Sequence, residues 1–195
     1  MYQLGRQLSR QRLWHESPVA LYSGVKSKYD AGIMRKLDRS DIALLREVTS
    51  NARSSHVELA ERVGLSSTAC ARRLAALEQD GLIEGYQAVL GLKALGLGTT
   101  VMVRITLDSQ SEDALDTFEH AIVKCPSVVR CLLMSGSDDY LVTVIARDIE
   151  DFEHIHKSQL SRLPRVSRIQ SSFAIRDVVN RSFPPAALLA PEKIR

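Results

Sequence analysis

The stretch with the most pointed chemistry is Ser66-Ser67-Thr68-Ala69-Cys70-Ala71-Arg72-Arg73. Read as a helix of ~3.6 residues per turn, it sets Cys70, Leu74 and Leu77 on one stripe. Thr68, Arg72, Ala75 and Gln79 then fall on the opposite side. Small alanines let such a helix sink into the major groove of a DNA duplex. An arginine on that face can hold guanine O6 and N7 with two hydrogen bonds. An ordinary solvated helix face has the same pattern, so this stretch alone leaves both readings open. Arg73 lies on the flank, where a phosphate contact or an internal ion pair would suit it.

Support for catalysis is thin. The sequence holds no G-x-S-x-G, no P-loop and no dinucleotide fingerprint. His154 and His156 are two apart on an expected helix, so they face different directions and cannot share a metal. His56 belongs to a helix start. Cys70, Cys125 and Cys131 show no C-x-x-C spacing and read as reduced thiols of a cytoplasmic protein. Phe, Tyr and Trp make up only 5% of the chain, too few for an aromatic cofactor box. No catalytic residue, metal ligand or cofactor is expected.

The elements that must position these residues are bounded by length and composition. A chain of 195 residues, 45% hydrophobic and 25% charged, has ordinary globular composition and room for one or two domains. Apolar runs such as Leu141–Ala146 are far short of the ~20 residues a membrane span needs, so no membrane partner is expected. The net charge is +3. Residues 1–36 carry seven Lys/Arg against two Asp/Glu, residues 37–90 six against eight, and residues 91–195 thirteen against thirteen. Bulk charge therefore argues nothing for the patterned part, and the direction of individual arginines decides.

Residues 1–36 read as a basic, poorly ordered extension. A loose tail, upstream sequence ahead of a start at Met34, a transit-like segment and a basic arm on DNA backbone all remain open. Residues 37–90 read as three short helices followed by an extended segment. The first, from about Asp38 to Thr49, carries Leu37, Ile42, Leu45 and Val48 on one stripe. Ser55-His56-Val57-Glu58 is a capping box opening the second, with Val57, Leu59, Ala60 and Val63 as apolar contacts. Gly64 supplies a left-handed stop, Ser66 caps the third helix and Gly81 ends it. Helix, glycine turn, helix is a helix-turn-helix. Leu82–Leu90 reads as a wing or connecting strand, and residues 91–98, with three glycines, as a hinge.

Residues 99–180 change period. Val101, Val103, Ile105 and Leu107 alternate as a strand. A helix over 111–124 carries Ala114, Leu115, Phe118, Ile122 and Val123 inward. Strands over Val128–Met134 and Tyr140–Ala146 flank the turn Ser135–Asp139. A helix over 149–162 carries Phe152, Ile155 and Leu160, and a last strand runs from Val166 to about Val178. The order βαββαβ is ferredoxin-like. Pro126-Ser127-Val128-Val129-Arg130 and Pro164-Arg165-Val166-Ser167-Arg168 share P-x-V-x-R after each helix, as two copies of one unit would. One such sheet leaves a face open, which calls for a second copy. Residues 181–195 read as a C-terminal tail.

Residues 37–180 resemble the Lrp/AsnC (leucine-responsive/asparagine regulator, feast/famine) transcription factors. The matching motifs are Leu37-Asp38-x-x-Asp41-x-x-Leu44-Leu45, Glu58-Leu59-Ala60-x-x-Val63-Gly64-Leu65-Ser66 and Arg73-Leu74-x-x-Leu77-Glu78-x-x-Gly81-Leu82-Ile83. Further on, Ser135-Gly136-x-x-Asp139-Tyr140-Leu141 and Leu163-Pro164-x-Val166-x-Arg168-Ile169-x-Ser171-Ser172-Phe173 match. The resemblance implies an α+β chain: an N-terminal winged helix-turn-helix, a hinge strand and a ferredoxin-like ligand-binding (RAM) domain. It implies double-stranded DNA as partner, homodimers that often build octamers, and an amino acid or related metabolite as effector. Ser66, Ser67, Thr68, Ala71, Arg72 and Arg73 become the expected DNA contacts. Gly136, Asp138, Asp139, Tyr140, Ser171 and Ser172 become the expected effector contacts. Gly136 allows close backbone approach, and nearby amides suit a carboxylate. Asp139 suits an α-ammonium group or, equally, caps its own turn. Many relatives carry an aromatic residue where Asp138 stands, which leaves the ligand class open. An architectural DNA-organising protein without ligand is the alternative. A tetrapyrrole decarboxylase-like enzyme drawing on His120, His154 and Arg147 ranks last.

Overall fold

The computed structural model describes residues 36–189, so the expectations for the basic extension and for the end of the tail lie outside the described residues. The described residues divide into two compact units: residues 90–178, and a helical unit of residues 36–89 joined by residues 179–189.

The helical unit is built from α1 (Arg39–Ser50), α2 (His56–Val63) and α3 (Ser67–Gln79). Each start is set locally. Asp38 caps α1 and Asp41 reaches back to the Asp38 amide, while Ser55 and Glu58 do the same for α2. The Ser55 amide holds Glu58 below its ordinary carboxylate value. Gly64 ends α2 at φ 73°, in the left-handed region that only glycine enters freely. Leu44, Leu45, Val48, Leu59, Ala60, Cys70, Leu74 and Leu77 close over one another as the core. Val57, expected among the apolar contacts, is exposed because the first turn of α2 points it to solvent.

No strand forms over Leu82–Leu90 among the described residues, which corrects the expected wing or hinge strand. The amides of Leu82 and Ile83 both return to the Leu77 carbonyl, and Tyr86 donates to Glu78 Oε1 at 2.8 Å. Leu82, Ile83 and Tyr86 are thus held to the end of α3, while Val89 and Leu90 are exposed and pair with no strand among the described residues. Leu92–Leu95 is a 3₁₀ turn within the expected hinge.

The second unit is an antiparallel sheet of β1 (Thr99–Leu107), β2 (Val128–Leu133), β3 (Tyr140–Ala146) and β4 (Val166–Phe173), in the order β2-β3-β1-β4. Helices α4 (Glu112–Ile122) and α5 (Ile149–Ser158) complete βαββαβ. Val101, Val103, Ile105 and Leu107 pack inward with Val142, Val144, Phe118, Ile122, Phe152 and Ile155. Phe118 stacks on Tyr140 at 4.4 Å between ring centroids. Three expectations move. Val123 is exposed, because α4 ends one residue before it. α5 ends at Ser158 and the chain continues as a 3₁₀ turn, Leu160–Arg162, ahead of Pro164. β4 ends at Phe173, opposite Val101: the Ala174 amide adds one more bond, to Thr100, and beyond it the chain leaves β1, with Ile175 and Val178 exposed.

Candidate nucleic-acid face and effector turn

Helix α3 buries Cys70, Leu74 and Leu77 and leaves Ser66, Ser67, Thr68 and Arg72 exposed, with Ala71 half-buried among them. Burial of the apolar stripe dictates which way the others point. Ser66 caps the helix by accepting from the Ala69 amide at 3.2 Å, and its hydroxyl also meets Thr68 Oγ1 at 3.2 Å. Arg72 extends from the exposed face. Its neighbour Arg73 does something else. One guanidinium nitrogen, Nη1, donates to Asp38 Oδ2 at 2.7 Å and to Asp41 Oδ1 at 2.8 Å. Asp41 is buried, so this ion pair joins α3 to the first turn of α1 from inside. The two carboxylates raise Arg73 above its ordinary value. Of the two roles open for Arg73, the structure has it in the internal ion pair. The spacing Asp38-x-x-Asp41 signals this arrangement, since a capping box turns Asp41 toward the helix start.

The β2–β3 turn runs over residues 134–139, closed by the Met134 amide on the Asp139 carbonyl at 2.8 Å. Gly136 sits at φ 139°, where side-chain-bearing residues are strained. Asp139 is buried and fully engaged: Oδ2 accepts from the Leu107 amide and Oδ1 from Gln110 Nε2, both at 2.7 Å. Tyr140 is buried as well and donates to Glu119 Oε1 at 2.8 Å. Burial, then Glu119, pushes its phenol well above the usual range. Asp139 and Tyr140, two of the six residues expected to touch an effector, are thus both buried and bonded within the sheet unit. Asp138, half-buried, faces Arg168 Nη2 at 3.4 Å. Ser171 and Ser172 lie opposite Val103 and Met102, while Asp139 bonds at Leu107. Four strand positions separate Val103 from Leu107, or ~14 Å. Successive serines also face opposite sides of the sheet. One chain does not bring them to the turn; Arg168 is the β4 residue that comes near. Its place in the second P-x-V-x-R is the signal the sequence offered.

His120 is tied to the Asp116 carbonyl, Arg147 to Asp151 and His156 to Ser161. Each is engaged on its own helix or the turn beside it. Among the described residues no cluster of His, Cys, Asp and Glu could hold a metal, and no helix is long and apolar enough to cross a membrane.

Comparison with known proteins covers both units. The Lrp/AsnC ligand binding domain matches residues 100–183, and a winged helix-turn-helix DNA-binding domain matches residues 37–84. The Bkd operon transcriptional regulator of Pseudomonas aeruginosa is 38% identical over 152 residues, 78% of this chain and 99% of that protein. The leucine-responsive regulatory protein of Escherichia coli is 35% identical over 144 residues, 74% of this chain and 88% of that protein. The crystal structure of a Neisseria meningitidis transcriptional regulator in complex with L-Met is similar with a TM-score of 0.74 and 33% identity, over 79% of this chain and 100% of that one. Because these matches span both units in the order the fold has them, the chain belongs to the Lrp/AsnC family of DNA-binding transcriptional regulators.

Proposed function

We propose that this chain is a cytoplasmic, non-enzymatic regulator that reads a DNA duplex through α3 and responds to an amino acid or a related small metabolite. The single observation behind the DNA reading is the exposed Arg72 on a helix locked by its opposite stripe. Ser66, Ser67, Thr68, Ala71 and Arg72 form the contact face. Arg73 holds that face in place and is set apart from it. The effector meets the β2–β3 turn. Amides around Gly136 receive a carboxylate, and Asp138 and Arg168 flank the entry, with Asp139 and Tyr140 as support. A regulator solved with L-Met makes an amino acid the first class to test. The chain works as a homodimer whose open sheet faces carry Met102, Leu132, Leu141 and Ile145, and sedimentation of the full chain distinguishes the dimer from higher assembly to an octamer. Alternation of inward and outward residues along β1 and β3 supports this.

The test is selection of bound duplexes from a random pool with full-length protein at near-physiological salt, followed by Arg72→Ala on the enriched sequence. One bidentate base contact gives ~1–3 kcal/mol of discrimination. Specific binding should fall by that amount while random-sequence binding barely changes. Equal losses on both duplexes would defeat base reading by Arg72. Absence of an enriched dyad would shift the function to sequence-independent DNA organisation.

A further inference from the structure

Residues 179–189 follow β4 in sequence but pack with the helical unit. The 3₁₀ turn Pro185–Leu188 lies on α1. Leu188 packs against the core cluster of Leu44, Leu45, Leu59, Leu74 and Leu77. Its carbonyl accepts from Arg46 Nε at 2.9 Å and from Arg46 Nη2 at 2.5 Å. One residue thus supplies an apolar anchor and a polar one together. Pro184 and Pro185 lead into it with φ already restricted, so ordering this segment loses little chain entropy. Between Phe173, the end of β4, and Val179 only residues 174–178 intervene, with Ile175 and Val178 exposed. The sheet unit is therefore an insertion in the helical unit, joined to it by chain at both ends.

We propose that residues 179–189 are a strap on α1 that braces the DNA-binding unit. The strap holds α1 at Arg46, Asp38 caps α1 and Asp41 lies in its first turn, and these two carboxylates fix Arg73 and with it α3. Stability of the reading helix then depends on chain that issues directly from β4. The proposal deepens the regulatory reading of this protein and rests on it for its biological meaning.

The test is amide hydrogen exchange on the full chain, comparing wild type with Leu188→Asp and with Arg46→Met. A Leu188→Ala variant serves if the aspartate variant fails to fold. In each variant, amides of α1 and α3 should open about tenfold faster, while those of β1 and β3 keep their wild-type rates. Unchanged exchange in α1 would overturn the strap. Faster exchange in α1 without α3 would overturn the relay through Arg73. The affinity of each variant for a selected duplex should fall in step with α3 exchange. A wild-type protein that selects no duplex would defeat the DNA reading alone, because the exchange result needs no DNA.

Discussion

Arg73→Met separates the two roles that one arginine can have on such a helix. The substitution keeps the stem and removes the guanidinium. Asp41 then stays buried, with its side chain 1% exposed, and loses the partner at 2.8 Å. A remaining bond to it comes from the Asp38 amide at 3.3 Å, a long contact. Breaking a buried pair from one side costs about 3–5 kcal/mol. The Arg73 side chain is 25% exposed, so water reaches part of the vacated space and lowers that figure. The second arm, to Asp38, adds little because Asp38 is half exposed and such pairs contribute ~0–1 kcal/mol. The expected loss is about 2–4 kcal/mol in the unfolding of the helical unit. Urea unfolding of the full chain, followed by circular dichroism, measures it. Adding Asp41→Leu should restore part of the loss, since the buried carboxylate is then removed along with its guanidinium, and the double-mutant cycle should give a coupling of about 2 kcal/mol. A loss below ~1 kcal/mol, with duplex affinity and its salt dependence sharply reduced, would refute the reasoning. Arg73 would then be a phosphate contact.

Other perturbations test the remaining parts. Asp139→Ala should destabilise the sheet unit by about 2–3 kcal/mol, because the Leu107 amide loses its acceptor; unchanged stability with lost effector binding would instead make Asp139 a direct contact. Acid should destabilise the chain below about pH 4. Backbone amides hold Asp38 and Glu58 below their ordinary values and Arg147 does so for Asp151, so their contribution is present above the unfolded values and disappears as pH falls through the lower folded ones. A melting temperature that rises between pH 5 and pH 3 would contradict this. Burial pushes the Cys131 thiol up to about 11, leaving about one thiolate in a thousand at pH 8, so disulfide reagents should label it slowly until the protein unfolds. Rapid labelling of native protein at Cys131 would show that the strand edge opens.

Much of the fold was legible because its signals are local. Capping boxes, the Gly64 stop and the alternation in β1 depend on neighbours within a few residues, so their consequences follow from the chain itself. The P-x-V-x-R echo announced two β-α-β units for the same reason. The errors also have local causes. The apolar residues Ile175 and Val178 suggest a β4 reaching Val178, yet pairing with β1 stops at Phe173 opposite Val101 and both of those residues are exposed. Leu82–Leu90 has strand-like composition but meets no pairing strand among the described residues of the chain.

By itself the sequence determined the helix-turn-helix, the βαββαβ order, the stripe that aims Arg72 outward and the turn around Gly136. Tertiary structure alone decided what the ionisable and polar groups are engaged in. Arg73 could face a phosphate or a carboxylate until packing of α3 on α1 put Asp41 within 2.8 Å. Asp139 could face a ligand or its own fold until the end of β1 presented the Leu107 amide. From sequence, residues 181–195 read as a tail; packing brings Leu188 within that stretch to a core more than a hundred positions earlier in the chain. The physical reason is common to all three. Periodicity says which side of an element is buried, but a charge or hydrogen bond takes its partner from whatever distant segment packing brings within ~3 Å.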